Sequence, residues 1–142
     1  MPIKWDPRFS VGNSTIDMEH KLLLTLLNAL EVVLRNPHEK DSLRFFIDQL
    51  IESAHDHFHH EEKLQLKYMF PYYEENKEGH KALIVELDEI KNEVYRYIED
   101  VITSQEEADN MSKRINHVLR DWLIDHIMKS DMKMKGFMND AR

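Results

Sequence analysis

A chain of 142 residues is long enough for one buried core and too short for two ordinary domains, so a single active centre is expected. Its formal charge of -8, from 19 Lys plus Arg against 27 Asp plus Glu, argues against nucleic acid or an anionic membrane as partner. With no cysteine, disulfides, iron–sulfur clusters, thiolate zinc sites and c-type haem attachment are excluded together.

Residues 1–17, with Trp5, Pro7 and Gly12, read as a non-helical arm without the apolar centre of a signal peptide. No run approaches the roughly 20 apolar residues of a membrane helix, so a soluble, cytoplasmic protein is expected. Strand-type alternation is absent, and Pro37 and Pro71 stand between long helix-like stretches. The expected fold is all-α: an antiparallel, up-down-up-down four-helix bundle over 18–131, with helices near 18–36, 41–68, 72–103 and 106–129 and a tail at 132–142.

Each helix carries an apolar stripe with a polar residue at one end. In the first, Ile16, His20, Leu23, Leu27, Leu30 and Leu34 line up. In the second, Leu43, Ile47, Leu50, Ala54, His57, Glu61, Leu64 and Tyr68 follow alternating steps of four and three. His55 and His59 lie two positions from His57, so at about 100° per residue they point to water. The third helix aligns Asn76, His80, Leu83, Leu87, Ile90, Val94, Tyr97 and Val101, and the fourth aligns Ile115, Leu119, Trp122 and His126. In an antiparallel bundle the start of the first and third helices meets the end of the second and fourth. His20, His57, Glu61, Asn76, His80 and His126 therefore converge at one end.

A carboxylate and several imidazoles in a core cost several kcal/mol unless compensated. A metal compensates them directly, since neutral imidazole and ionised carboxylate are its ligands; a metal-free hydrogen-bond network is the alternative. Convergence from four helices favours the metal, because half-satisfied polar networks are hard to tolerate in a core. Zinc, with its four tetrahedral ligands, fits a larger histidine and carboxylate set poorly. His38 falls in the far connection, and His117 points about half a turn away from His126. Met128, Met132, Met134 and Met138 read as packing, "SQEEAD" as a solvated helix start capped by Ser104, and Tyr72 and Tyr73 as aromatic packing beside the cluster.

The segment from Trp5 to Leu23, "HFHHEE" at His57 to Glu62, "FP" at Phe70 and Pro71, and "WLIDHIMKSD" at Trp122 to Asp131 resemble the signatures of the hemerythrin family, specifically its single-domain bacterial members. The resemblance covers nearly the whole chain. It implies a non-haem centre of two iron ions, joined by an oxo or hydroxo group, that binds dioxygen reversibly as carrier, store or sensor. By that pattern His20 and His57 ligate one iron, His80 and His126 the other, and Glu61 and Asp131 bridge them. Asp131 follows from the motif alone, because five residues beyond His126 is off a straight helical stripe and requires the helix end to unwind or turn.

One position departs from the family pattern. A third histidine is expected on the second iron four residues before His80, and Asn76 stands there; an amide oxygen is a weak ligand for iron compared with imidazole. An open second iron would favour the alternatives, a diiron oxidase or peroxidase, or a sensor of nitric oxide or iron. His60, on the flank of the inward face, is a surface residue or a compensating ligand. Gln65, where the family often has methionine, makes this end more polar and able to tune the metal indirectly.

Overall fold

In a computed structural model of the chain, residues 3–36, 39–99, 104–126 and 131–137 are described. Four helices carry the fold: α1 (Ser14–Leu34), α2 (Lys40–Lys67), α3 (Tyr73–Ile98) and α4 (Gln105–Asp125). Helix α1 packs on α2 and α4, and α3 packs on α2 and α4, the arrangement of an antiparallel four-helix bundle. No strand occurs among the described residues. None of the described helices is long and apolar enough to cross a membrane.

The arm is shorter than expected. Helix α1 begins at Ser14 rather than 18, because the Ile16 N–H donates to Asn13 Oδ1 at 3.1 Å, an N-cap. Gly12 has φ 86°, which lets the chain turn sharply into that cap. Asp17 then ties the arm back, accepting from the Val11 N–H at 2.9 Å and from the Ser10 hydroxyl. The arm also contains a short 3-10 turn at Pro7–Phe9. At the far side, the Glu107 N–H donates to Ser104 Oγ at 3.0 Å, so Ser104 does cap α4.

Helix α2 ends in a Schellman motif. The Phe70 N–H reaches the Gln65 carbonyl at 2.8 Å and the Met69 N–H reaches Leu66 at 3.2 Å. Met69 takes the left-handed conformation, φ 55°, that this turn requires and that glycine usually supplies. Reversal here sets the first turn of α3 opposite the last turns of α2.

The apolar stripes form a continuous core of leucine and isoleucine, including Leu23, Leu30, Ile47, Leu50, Ile90 and Leu119. Two stripes deviate: on α3, Leu83 and Tyr97 are half-buried against the core rather than buried in it. On α2, Gln65 is fully buried, whereas Leu64 is half-buried and Tyr68 is exposed. A strict repeat of seven drifts by about 20° per heptad on a straight helix, so three heptads beyond Leu43 the inward position has passed to the next residue. Val101 and His38 lie outside the described residues. A second buried group, Val11, Ile16, Phe70 and Met134, closes the polar end with pieces of the arm, α1, the α2–α3 turn and the 3-10 turn Asp131–Met134.

Candidate metal centre

Four helices each deliver one imidazole to this end. His20 comes from the second turn of α1, His57 from α2 one turn before Glu61, His80 from α3 and His126 from just beyond α4. At His126 the backbone widens into a π-type turn, a local rewinding common at functional sites. All four rings and Glu61 are buried, with exposures of 3% or less.

The ring nitrogens face one another. His57 Nε2 lies 3.2 Å from His20 Nε2, 3.0 Å from His126 Nε2 and 2.8 Å from Glu61 Oε2. Glu61 Oε2 is 3.9 Å from His20 Nε2 and 3.7 Å from His126 Nε2, and its other oxygen is 3.2 Å from His80 Nε2. One donor atom from each of His20, His57, Glu61 and His126 fits within a 4.8 Å span. Donors about 2.1 Å from a metal and at right angles to each other lie about 3.0 Å apart, so the 2.8, 3.0 and 3.2 Å spacings are of the size found between metal-bound donors.

The hydrogen-bonding pattern agrees. Despite its close imidazoles, Glu61 Oε2 has no neighbour in hydrogen-bonding geometry, and neither ring nitrogen of His80 has one. Lone pairs aimed at a shared point leave each other unsatisfied until a cation occupies it. The donor set therefore fits a metal. Burial alone would raise the Glu61 carboxyl, but the adjoining imidazoles of His57 and His126 outweigh it and hold the group well below the usual carboxylate range.

Groups outside the cluster fix the rings. His80 stacks on Phe58 at 4.2 Å between ring centres, and His126 lies parallel to Trp122 at 6.0 Å. Glu19, which sequence reasoning missed, stands 3.2 Å from His57 Nδ1 and 2.6 Å from His60 Nδ1. A proton on Nδ1, donated to Glu19, leaves the His57 Nε2 lone pair pointing inward. Burial raises the Glu19 carboxyl, yet its hydrogen bonds from His57 and His60 prevail and lower it.

His60 is thus an exposed residue braced against Glu19, with its side chain 51% exposed. His55, His59 and His117 are exposed as well. Asn76 is buried beside the cluster, and its Oδ1 accepts from Gln65 Nε2 at 3.1 Å. The same Gln65 amide reaches Met134 Sδ at 3.2 Å and Glu61 Oε1 at 3.5 Å. Asp131 opens the C-terminal 3-10 turn, so the backbone has left the α4 axis there; the Asp131 side chain lies outside the described residues.

Glu19 had a faint signature. It precedes His20 directly while His60 follows His57 by three positions, which places both on the flank of the α1–α2 seam. Pairing across antiparallel helices was needed to see it, and periodicity within one helix does not supply that.

The hemerythrin HHE cation binding domain model matches residues 11–138. A hemerythrin-like protein of Naegleria gruberi is 29% identical over 96% of this chain and 94% of its own length. A bacteriohemerythrin of Campylobacter jejuni is 23% identical over 92% and 91%. The hemerythrin of Phascolopsis gouldii is 27% identical over 95% and 92%. A crystal structure of a leucine-to-phenylalanine mutant superposes with a TM-score of 0.80 at 18% identity, over 99% of this chain and all of the other, and shares the fold. Matched from the arm through all four helices, and carrying a buried His/Glu cluster fit for a cation, this chain belongs to the hemerythrin family.

Proposed function

We propose that this chain is a non-haem diiron protein that binds dioxygen reversibly, as carrier, store or sensor. The observation that carries the proposal is the convergence of His20, His57, His126 and Glu61 within 4.8 Å in a buried pocket, with His80 on the second oxygen of Glu61. His20 and His57 would hold one iron and His80 and His126 the other, with Glu61 shared and Asp131 as the second carboxylate. The His126 ring lies 5.2 Å from His57 and 5.4 Å from His80, central to both groups. Iron held by these residues would supply the reversible redox chemistry that dioxygen binding needs.

The residues of the chain do the rest. Phe58 and Trp122, almost wholly buried, pack against the His57, His80 and His126 rings and give that part of the centre an apolar wall. Glu19 holds the His57 tautomer that offers a lone pair inward.

One observation favours a second function, a diiron oxidase or peroxidase, or a sensor of nitric oxide. Asn76 stands where the family resemblance places an imidazole, and its amide oxygen is already engaged by Gln65. Anaerobic iron loading with metal counted per chain, then addition and removal of oxygen under visible absorption, separates the two. Two irons with a reversible charge-transfer band support carriage. Irreversible bleaching with steady consumption of reductant supports the enzyme.

A further inference from the structure

A cleft of about 290 Å³ opens between the first turns of α3 and the C-terminal 3-10 turn, lined by Tyr72, Asn76, Gly79, His80, His126 and Lys133. His80 is 3% exposed and both its ring nitrogens are without hydrogen-bond partners, although Glu61 Oε1 and Glu62 Oε2 stand 3.2 and 3.7 Å away. Asn76 shares this wall, but its oxygen is turned to Gln65. Gly79 adds a notch: a Cβ built there meets nothing within 4 Å. At the mouth, Lys133 lies 3.6 Å from Glu75 and 5.3 Å from the Tyr72 ring, so its charge is balanced in place.

We propose that the His80 side of the centre takes a small exogenous anion of a few atoms through this cleft, beside His80 and the amide of Asn76. This rests on the diiron assignment above. The cleft has room for roughly ten waters, at the lower bound of ordinary ligand-pocket volumes, which suits a small occupant. A metal cation at its floor favours anions, while the paired Lys133 and Glu75 provide no net charge to draw a polyanion.

The test uses azide on the iron-loaded, oxidised protein, with iron counted first. Equilibrium dialysis and calorimetry give the number of azides per chain, and the azide stretching bands in the infrared distinguish their environments. The wild type is expected to hold two irons and two azides in two environments. Gly79→Leu, whose side chain grows into open space, is expected to keep both irons and its thermal melting while weakening one azide at least tenfold. Asn76→His, which restores an imidazole, is expected to remove that same azide and its band. Two irons with a single azide, unchanged in Gly79→Leu, overturns the proposal and leaves the diiron assignment standing. Fewer than two irons overturns that assignment and the proposal with it.

Discussion

Gln65 and Asn76 form a buried amide pair whose two members are not equivalent, and truncating them one at a time should show it. Gln65 is fully buried; its Nε2 serves Asn76 while its Oε1 has no partner. Replacing it with methionine in the metal-free protein removes one hydrogen bond of about 1 kcal/mol net. It also removes a stranded acceptor whose desolvation costs about 1–3 kcal/mol, and Asn76 Oδ1, on the wall of the cleft, regains water. Gln65→Met should therefore fall within about 1 kcal/mol of wild type. Asn76→Ala leaves the buried Gln65 amide hydrogens with a sulfur at 3.2 Å and a carboxylate oxygen at 3.5 Å as remaining protein acceptors. Its cost should be about 1–3 kcal/mol, a drop of several degrees in Tm for a chain of this size. Urea titration of both variants and the double variant, in chelator, measures the asymmetry and a coupling of about 1 kcal/mol. If Gln65→Met proved the costlier of the two, or the coupling were zero, the assignment of donor and acceptor in this pair would be wrong.

Other outcomes follow from the same structure. Glu19→Gln, which weakens the brace on His57 without touching the metal position, should lower metal affinity roughly 10–100-fold while leaving the far-ultraviolet circular dichroism unchanged. His60→Gln should do less, since His60 reaches the centre only through Glu19. In the metal-free protein the carboxyl of Glu61 is lowered below its ordinary 4.5, so its contribution is complete above that pH and lost as pH falls through the lowered value. Acid titration of Glu61→Gln by circular dichroism should accordingly show a flatter acid limb than wild type. Met69→Gly relieves a left-handed methionine that is 85% exposed, and should raise Tm by an amount equivalent to about 0.5–1 kcal/mol. Metal at 100 times its dissociation constant should stabilise the fold by about 2.7 kcal/mol, read as a Tm increase that chelator reverses.

The stripes on α1 and α4 were legible because they are short or regular enough for seven-residue spacing to stay in phase: Ile16 to Leu34 and Ile115 to His126 are buried at each expected position. On α2 the same rule failed only after three heptads, where helical drift put Gln65 inside in place of Leu64. The start of α1 was misplaced because Asn13 acts as a cap through its side chain, and a cap is a single residue that leaves no periodic trace. The meeting of His20, His57, Glu61 and His126 could be read from helix direction alone. Which atoms face each other could not. The Glu19 brace and the engagement of Asn76 by Gln65 both arise between helices, where a one-residue rotation decides the contact.

The two sides of the centre differ in how their imidazoles are held, and that difference bears on what each side can do. His57 has a carboxylate on its outer nitrogen, itself fixed by an exposed histidine, so its inward lone pair is set before any metal arrives. His80 stacks on Phe58, has Glu61 and Glu62 oxygens 3.2 and 3.7 Å from its nitrogens without hydrogen-bonding geometry, and has an open cleft beside it. A braced ligand gives affinity and a defined geometry. An unbraced ligand beside a cleft permits exchange. Glu61, wholly buried between them, turns one oxygen to His57 and the other to His80, so a single carboxylate joins the braced side to the side beside the cleft.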